Sequence, residues 1–375
     1  ALALPKARFD EGAKSFKART EELELSDPAK VVVHYHSVDF SGLKPDTLYA
    51  YRVGSGDRWS EWIQFRTAKA KPEPFSFLYF GDAQNSILSF WSRIIRAAYK
   101  KAPHAAFSIH AGDLVNSAHK DREWAEWFKA GGWIHSSVPS IPVSGNHEYS
   151  GLKINGKDKG NQLAIQWRSQ FTLPEAAGLP ASLAETVYTL DYQGVRIIAL
   201  NSNREVEAQA KWLDTVLAKN PCKWTVVTMH HPMFSSGSGR DNAKNRKVLK
   251  PVIDKYQVDL LLQGHDHTYA RGHTPLRMAD TKSNQIRSLY VNSVSGPKMY
   301  QFRKDGWNTY KPEGVLLDRK AINTPFFQVI DVEGEWLTYR AFMANGDLYD
   351  AVRLRKLADG SKELHPWKED LGNER

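Results

Sequence analysis

Cysteine is nearly absent from this chain of 375 residues, since Cys222 is the only one. An internal disulfide framework is therefore excluded. Cys222 follows Pro221 and precedes a predicted apolar strand, which favours a structural thiol over a nucleophile. Runs of about 18 apolar residues are also lacking, so no membrane-spanning helix is predicted. The chain begins at Ala1 without an initiator methionine or a signal peptide, and we expect a processed or truncated chain.

Acidic residues are fewer than basic ones, 42 against 51, which gives a formal net charge of +9. This balance favours anionic ligands, although a dispersed solubilising charge explains it equally well. The basic residues form no stripe, so a dedicated nucleic-acid partner is not predicted. The hydrophobic content of 41% and the charged content of 25% are typical of globular proteins.

The chain divides into two parts that differ in their predicted secondary structure. Residues 1–70 predict an all-β domain, and the pattern from Leu43 to Val53 resembles the tyrosine-corner region of a fibronectin-type sandwich. This length is short for such a sandwich, so we expect the domain to be incomplete at its N-terminus. Ala68 to Pro74 predicts a linker. In 75–375, strands alternate with helices and fall into two groups, which predicts an α/β domain with two sheets covered by helices.

Five short segments in the second part contain candidate metal ligands. Each places an Asp, Asn or His just after an apolar run that predicts a strand. In chain order they are Gly81-Asp82-Ala83-Gln84, Gly112-Asp113-Leu114-Val115-Asn116, Gly145-Asn146-His147-Glu148, Val227-Thr228-Met229-His230 and Gly264-His265-Asp266-His267. A single strand-end Asp usually forms a turn or a helix cap. Five such segments in order, with ligand types that suit two neighbouring metal ions, predict one shared site.

The residue types indicate different roles within such a site. A carboxylate can bridge two cations with one oxygen for each, and we place Asp113 in that position. Asn146 offers only a neutral carbonyl oxygen, and in isolation an Asx-turn is the better interpretation of it. A neutral imidazole at His230 suits Zn, Fe or Mn. His265 and His267 follow a predicted strand at positions i and i+2, from which they can reach two adjacent metals.

Taken together, the five segments resemble the signature motifs of the calcineurin-like metallophosphoesterases. Within that superfamily the chain is most similar to the purple acid phosphatase branch, whose members also carry a fibronectin-like amino-terminal domain. The resemblance covers nearly the whole chain and includes Gln209 to Leu213 and Tyr269 to Arg271. It implies a four-layer αββα metallophosphoesterase sandwich in 75–375, preceded by the small all-β domain in 1–70.

The resemblance also implies a ligand set for two metal ions. One metal would be held by Asp82, Asp113 and His267. The other would be held by Asp113, Asn146, His230 and His265. A hydroxide between the two ions would attack phosphorus in line, which implies hydrolysis of phosphate esters.

Three further residues receive roles from the resemblance. His147 is implied as a catalytic residue that contacts the phosphoryl group or gives a proton to the leaving alkoxide. His231 is implied as a substrate contact or as support for a ligand, with a packed or solvent-facing neighbour as its alternative. Arg271 is implied as a phosphate ligand, with an ion pair to an acidic neighbour as its alternative.

The match to the family breaks at two positions beside the first metal. Purple acid phosphatases carry a ligating Tyr where this chain has Asn116, and most other branches carry a His where it has Gln84. Either amide can coordinate through its carbonyl oxygen or hold a bound water. An amide stabilises a trivalent ion much less than a phenolate does. We therefore expect a divalent pair of Mn, Zn or ferrous iron, a weaker first site and no iron–tyrosinate colour.

The resemblance implies a metal-dependent phosphoric ester hydrolase, with a phosphomonoesterase favoured over a phosphodiesterase of the same fold. A diester has one fewer charge and needs a roomier, less cationic site. The loops Ser150 to Gln162 and Ser235 to Asn245 are expected to line the pocket. The rival hypothesis, motivated by Gln84 and Asn116, is a binding or adhesion protein that has lost activity on this scaffold. The resemblance and the missing initiator methionine suggest a periplasmic or secreted protein, and the oligomeric state is left open.

Overall fold

The computed structural model describes residues 11–25, 30–154, 157–277 and 283–374. The first ten residues of the expected all-β domain lie outside this part of the chain. The same holds for residues 155–156 of the loop Ser150 to Gln162 and for the last residue of the expected catalytic domain.

The described residues form 22 β-strands and six α-helices. The strands are β1 Arg19–Leu25, β2 Val31–Ser37, β3 Leu48–Tyr51, β4 Gly54–Ser55, β5 Arg58–Trp59, β6 Ile63–Arg66, β7 Phe75–Phe80, β8 Ser108–His110, β9 Ser140–Pro142, β10 Tyr149–Ile154, β11 Lys157–Leu163, β12 Tyr188–Tyr192, β13 Val195–Leu200, β14 Trp224–Met229, β15 Leu260–Gln263, β16 Tyr269–Pro275, β17 Gln285–Asn292, β18 Leu316–Ala321, β19 Phe326–Glu333, β20 Trp336–Met343, β21 Leu348–Lys356 and β22 Lys362–Pro366. The α-helices are α1 Ser92–Lys101, α2 Asp121–Gly131, α3 Trp133–Ser137, α4 Trp167–Gln170, α5 Val206–Ala218 and α6 Ala243–Lys255. Short π or 3₁₀ turns cover Ile87–Trp91, Asn146–Glu148, Ala181–Leu183 and Asn308–Glu313.

One large curled sheet dominates the second part of the chain. Its strand order is β12-β13-β14-β15-β17-β22-β21-β20-β19-β7-β8-β9, and β16 pairs with β17 and with β18. The prediction of two separate sheets is wrong in one respect, because β22 pairs with β21 along its length and with β17 at its first residues. This strand, which the sequence analysis missed, joins the two groups into one path.

The two halves of the curled sheet pack face to face, because side chains alternate between the faces of each strand. Phe77 and Tyr79 of β7 lie in the core between the halves. Ile197 of β13 and Leu262 of β15 reach the same core from the other half. All four are fully buried, so this inner layer holds the halves together.

Helices cover the outer faces of both halves. Leu78, on the opposite face of β7, packs in a second core with Trp91 and with Trp127 of α2. Ile198 of β13 packs in a third core with Leu213 of α5. The order of helix, sheet, sheet and helix confirms the expected four-layer αββα fold.

The N-terminal part is all-β, as expected. Its described residues form three separate antiparallel pairs, β1 with β2, β3 with β6 and β4 with β5. The Tyr51 hydroxyl donates to the Ser136 carbonyl at 2.7 Å, and the Thr172 hydroxyl donates to Ser37 Oγ at 2.9 Å. These hydrogen bonds connect the N-terminal part to the α/β part of the chain. Across the described residues, every helix falls short of the length or apolar character that crossing a membrane requires.

Candidate metal centre

Parallel strands bring the five segments of the sequence analysis to one edge of the fold. β7, β8 and β9 are parallel neighbours, and so are β13, β14 and β15. The residues that follow these strands are Asp82 after β7, Asp113 after β8, Asn146 after β9, His230 after β14, and His265 and His267 after β15. The carboxyl ends of parallel strands open on the same edge, where α/β folds place their ligand sites.

Glycines allow the turns at this edge to approach one another closely. A Cβ added to Gly145 would lie 2.2 Å from Oδ1 of Asp113, and one added to Gly264 would lie 2.4 Å from Oδ2 of Asp82. Asp82 and Asp113 themselves have left-handed backbones, with φ of 48° and 52°. Such a backbone costs an L-residue about 1–2 kcal/mol. Strain of this kind is concentrated at functional sites in proteins.

Asp82, Asp113 and His267 form a first group of ligand atoms. One atom from each lies within 4.8 Å of the other two, and all three residues are buried. Nε2 of His267 is 3.6 Å from Oδ1 of Asp82. Nδ1 of His267 donates to the Lys298 carbonyl at 2.8 Å, since a carbonyl can only accept. The neutral ring therefore presents an unprotonated Nε2 to the group.

Asp113, His230 and His265 form a second group of the same kind. Nε2 of His230 lies 3.2 Å from Oδ2 of Asp113, 3.1 Å from Nδ1 of His265 and 3.0 Å from Oδ1 of Asn146. Nδ1 of His230 is 2.9 Å from the Ala111 carbonyl, so its hydrogen points there and Nε2 faces the group. The two groups share Asp113.

Two carboxylates of this cluster are buried close together. Asp82 and Asp113 are each 1% exposed. Burial raises the pKa of Asp82 well above its usual value, although His230 opposes this rise and Asp113 adds to it. Burial also disfavours a charged His230, but the Asp113 carboxylate outweighs it and raises the pKa of His230 to about 9. Two buried carboxylates in one cluster repel each other unless cations lie between them.

The donor atoms of this cluster fit two metal ions. Carboxylate oxygens and neutral imidazole nitrogens are ligands that Mn, Zn and Fe accept. Burial lowers the pKa of His267 to about 4 and lowers that of His265 below its usual range, so both rings are neutral at pH 7. The side-chain oxygen of Gln84 is buried without a hydrogen-bond partner. It is a spare donor atom beside the first group.

Gln84 and Asn116, the two amides at unexpected positions, have different surroundings. Nε2 of Gln84 lies 3.0 Å from Oδ2 of Asp113 and 3.1 Å from Nε2 of His267. A half turn of this amide would present its oxygen to the same two atoms. The side-chain oxygen of Asn116 instead accepts a hydrogen bond from Asn85 at 3.1 Å. The contacts therefore support Gln84 as a ligand and do not support Asn116.

His147 lies against the Asp113 carboxylate. Its backbone N–H donates to Oδ1 of Asp113 at 2.8 Å. Its Nδ1 is 2.7 Å from the Asn116 carbonyl, so this nitrogen keeps its hydrogen. Nε2 has no hydrogen-bond partner among the described residues.

His231 lies beside the second group. The centres of its ring and the His265 ring are 4.2 Å apart. Ser202 Oγ accepts from the His231 backbone N–H at 2.9 Å and lies 2.8 Å from its Nδ1, so the hydroxyl can donate to that nitrogen. Burial, reinforced by His230, lowers the pKa of His231 to about 3. The ring is therefore neutral, and it lines a cavity of about 530 Å³.

Arg271 is held by two carboxylates in the core. Nε and Nη2 bond the two oxygens of Asp350 at 2.6 and 3.1 Å, and Nη1 bonds Asp318 at 2.9 Å. The residue is only 6% exposed. The predicted phosphate contact at Arg271 is therefore corrected in favour of its alternative, an ion pair, because both carboxylates occupy its donors.

Glu148 organises the ligand loops, a role that the sequence analysis missed. It is fully buried, and its oxygens accept from the backbone N–H groups of Asp113 at 2.8 Å, Leu114 at 2.8 Å and Gly145 at 2.6 Å. Burial and the nearby Asp113 raise the pKa of Glu148 to about 8, while the Gly145 N–H opposes that rise. The position directly after Asn146 and His147 was the available signal.

Arg240 is a second residue that the sequence analysis missed. Its Nη2 contacts Nε2 of His265, and its Nε lies 2.8 Å from Oδ1 of Asp266. Oδ2 of Asp266 accepts from the backbone N–H groups of Ser236 and Gly237 at 2.7 and 3.0 Å, which fixes the loop that carries the arginine. The only sequence signal was a cation in the loop Ser235 to Asn245.

Comparison with known families adds two matches. The family described as calcineurin-like phosphoesterase matches residues 75–269, more than half of the chain. The family described as purple acid phosphatase, N-terminal domain, matches residues 6–67.

The curated relatives are distant in sequence. An uncharacterized protein of Mycobacterium tuberculosis is 28% identical over 329 residues, which cover 76% of this chain and 60% of that protein. Purple acid phosphatase 21 of Arabidopsis thaliana is 29% identical over 63% of this chain and 53% of its own length. Fe(3+)-Zn(2+) purple acid phosphatase 12 of the same plant is 26% identical over 76% and 61%. The chain thus spans about three fifths or less of the length of these relatives.

Solved structures show the same fold. The purple acid phosphatase PPD1 from yellow lupin seeds matches with a TM-score of 0.71 and 17% identity, over 90% of this chain and 66% of that one. The structure of PhoD matches with a TM-score of 0.62 and 13% identity, over 98% and 89%. The two family matches show that this chain belongs to the calcineurin-like phosphoesterase family, with a purple acid phosphatase N-terminal domain ahead of its phosphoesterase domain.

Proposed function

We propose that this protein is a metal-dependent phosphoric ester hydrolase with two metal ions, and that it acts as a phosphomonoesterase. The observation that carries the proposal is the sharing of Asp113 by two groups of converging ligand atoms. Asp82, His267 and the Gln84 amide would hold one ion. Asn146, His230 and His265 would hold the other. Two ions held there would supply a nucleophile from water and would offset the charge of the phosphoryl group.

His147 is the proposed proton donor to the leaving alkoxide. The Asn116 carbonyl occupies its Nδ1, so the proton is delivered from Nε2. General acid catalysis of this kind contributes about 10²–10⁴-fold to the rate. Because the backbone N–H of His147 also holds Asp113, the donor keeps a fixed position relative to the bridging ligand.

Arg240 is the proposed clamp for the phosphoryl oxygens. It contacts a ligand of the second metal, and its side chain is 28% exposed although Asp266 anchors it. The Tyr300 ring lies 5.1 Å from its guanidinium carbon, which restricts the range of positions it can take. A guanidinium presents a fork of donors that matches two phosphate oxygens.

The charge of the site supports a monoester over a diester. A monoester has one more negative charge, and it gains more from Arg240 and from Lys298, whose Nζ lies 5.6 Å from the same Tyr300 ring. A phosphodiesterase is the alternative within the same fold. The rival hypothesis of an inactive binding protein finds less support, because every principal ligand reaches the cluster.

A side-by-side assay tests the proposal. The protein would be loaded with Mn, Zn or ferrous iron and given p-nitrophenyl phosphate and its bis-ester. Faster cleavage of the monoester supports a phosphomonoesterase, and faster cleavage of the diester supports the alternative. Hydrolysis of neither substrate by protein that has bound two metals per chain would favour the binding protein.

Three further points are proposals of the same kind. The metal pair is divalent, because Asn116 stands where a ligating phenolate is usual. The chain divides within the linker Ala68 to Pro74, with residues 1–70 as the small domain and 75–375 as the catalytic domain, in line with family matches at 6–67 and 75–269. A periplasmic or secreted location rests on family membership alone.

A further inference from the structure

A cavity of about 530 Å³ opens beside the second group of ligands. Asn146 and His231 belong to its wall, so a molecule in the cavity lies next to the proposed phosphoryl site. Most of its other lining residues are polar or charged. The chemistry of this wall indicates which alcohol the phosphate ester carries.

Three asparagines of the wall have side-chain amides that are held in one orientation. The side-chain nitrogens of Asn203, Asn242 and Asn245 donate to backbone carbonyls at 2.9, 3.0 and 2.8 Å, respectively. Because a carbonyl can only accept, these bonds fix the orientation of each amide. The three side-chain oxygens have no hydrogen-bond partner among the described residues. They are suited to accept from hydroxyl groups of a ligand.

Two cations lie on the same wall. The Arg204 guanidinium is 4.3 Å from the centre of the Tyr149 ring and donates to the Asn161 carbonyl at 3.0 Å, so it is held in place without an opposing carboxylate in these contacts. Lys244 is 80% exposed, and its ion pair with Glu207 is long at 3.7 Å. Such an exposed pair contributes little and leaves the ammonium available to a ligand.

The one acidic residue of the wall does not cancel this charge. Asp241 is paired with Arg246, whose Nη1 lies 2.6 Å from its Oδ1, and the Tyr310 hydroxyl donates to the same oxygen at 3.0 Å. Arg246 also pairs with Glu313 at 2.8 Å, so it offsets the charge of Asp241 only in part. Among the residues of the wall, the two cations Arg204 and Lys244 still outnumber the single carboxylate.

We propose that this cavity binds the alcohol part of the substrate, and that this alcohol is polyhydroxylated and carries a second anionic group. The proposal rests on the proposed phosphomonoesterase function. Hydroxyl groups would donate to the oxygens of Asn203, Asn242 and Asn245, and the second anion would pair with Arg204 and Lys244. A bare aromatic alcohol would leave those oxygens without partners and lose their binding energy.

A second cavity, of about 410 Å³, is the competing location. Its cations Lys120 and Arg122 share the wall with the carboxylates Glu123 and Glu126. Nε of Arg122 donates to Glu126 at 3.2 Å. The opposite charges make this wall less suited to a second anion, and Arg122 offers a matched control.

The test compares fructose 1,6-bisphosphate with p-nitrophenyl phosphate on the metal-loaded protein. The ratio of their kcat/KM values is measured for the wild type and for Arg204→Gln, Lys244→Gln and Arg122→Gln. We expect the ratio to fall about tenfold in Arg204→Gln and less in the exposed Lys244→Gln, chiefly through KM for the bisphosphate. Arg122→Gln leaves the ratio unchanged.

A lowered ratio in Arg122→Gln with an unchanged ratio in Arg204→Gln would overturn the proposal and assign the alcohol to the smaller cavity. Unchanged ratios in all three variants would also overturn it. Failure to hydrolyse either ester would instead contradict the phosphomonoesterase function itself, so the two failures are distinguishable. Thermal unfolding of each variant checks that the fold is intact.

Discussion

The side-chain amide of Gln84 lies 3.0 Å from Oδ2 of Asp113, the carboxylate shared by both ligand groups. This contact places a neutral amide where most calcineurin-like enzymes carry a histidine. The first metal would therefore have fewer anionic or imidazole ligands than usual. The consequences for metal binding can be measured.

Gln84 and Asn116 should differ sharply in their effect on metal binding. Gln84→Leu removes the amide beside Asp113 and His267, and we expect the affinity for one of the two metals to fall by about 10–100-fold. Asn116→Leu changes a side chain that bonds Asn85, so the affinity for both metals should stay near that of the wild type. Calorimetric titration with Mn or Zn measures the metal affinity of both variants. Equal losses would show that Asn116 also reaches the first metal.

His147→Ala tests the proton donor through the leaving group. Loss of the proton at Nε2 should lower kcat for an alkyl phosphate such as glycerol 2-phosphate by about 10²–10⁴-fold. The effect on p-nitrophenyl phosphate should be smaller, because p-nitrophenolate is a good leaving group without protonation. His119→Ala serves as the control, since His119 contacts the Ser150 carbonyl at 3.2 Å instead of Asp113. Equal losses on both esters would indicate that His147 only positions the site.

Glu148→Gln should weaken metal binding without removing any ligand. The new NH₂ group would face backbone N–H groups of Asp113, Leu114 and Gly145, which are themselves donors. We expect affinity for both metals to fall by about 10–100-fold and the melting temperature to drop. Glu185→Gln is a matched control, because Glu185 accepts the Leu173 backbone N–H at 3.2 Å, outside the ligand loops. Unchanged metal affinity in Glu148→Gln would contradict the role of Glu148 in holding the ligand loops.

His135 makes the fold sensitive to acid. Burial lowers its pKa from 6.5 to about 4, and its ring lies 4.2 Å from that of Trp127. At pH values between these two pKa values, His135 binds a proton more readily in the unfolded chain than in the folded chain. The stability contributed by neutral His135 is therefore present above pH 6.5 and is lost as the pH falls towards 4. At pH 5 the loss is about 2 kcal/mol.

His135→Phe keeps the aromatic packing and removes this titration. The drop in melting temperature between pH 7 and pH 5 should be smaller in His135→Phe than in the wild type. The exposed His104 provides the control, because His104→Phe should leave that drop unchanged. A pH dependence identical in all three proteins would contradict the role of His135.

The parts of the site that follow strands could be predicted from the sequence. Asp82, Asp113 and His230 stand directly after apolar runs, and parallel strands that share an edge bring such ends together. The fold class followed from the same alternation of strands and helices. β22 was missed because Lys362 to Pro366 is polar and joins the sheet only through its position between β17 and β21.

Other parts depend on contacts between distant residues. Arg240 lies in a loop rich in Ser, Gly and Asn without a motif, and Asp266, 26 positions away, holds it beside His265. Arg271 follows the last histidine pair, but Asp350, far along the chain, takes its donors. The different surroundings of Gln84 and Asn116 are likewise invisible in sequence, where both are neutral amides near a glycine.

The sharing of Asp113 by two metal ions is the central claim, and counting metals in Asp113→Asn tests it most directly. We expect the wild type, saturated with Mn or Zn, to hold two ions per chain by elemental analysis. The asparagine has no anionic oxygen to share, so the variant should hold one ion or none. Its kcat/KM for p-nitrophenyl phosphate should fall by more than about 100-fold. Substituting a residue that only orients a metal ligand lowers activity by less than this. Two tightly bound ions and unchanged hydrolysis in Asp113→Asn would contradict the account.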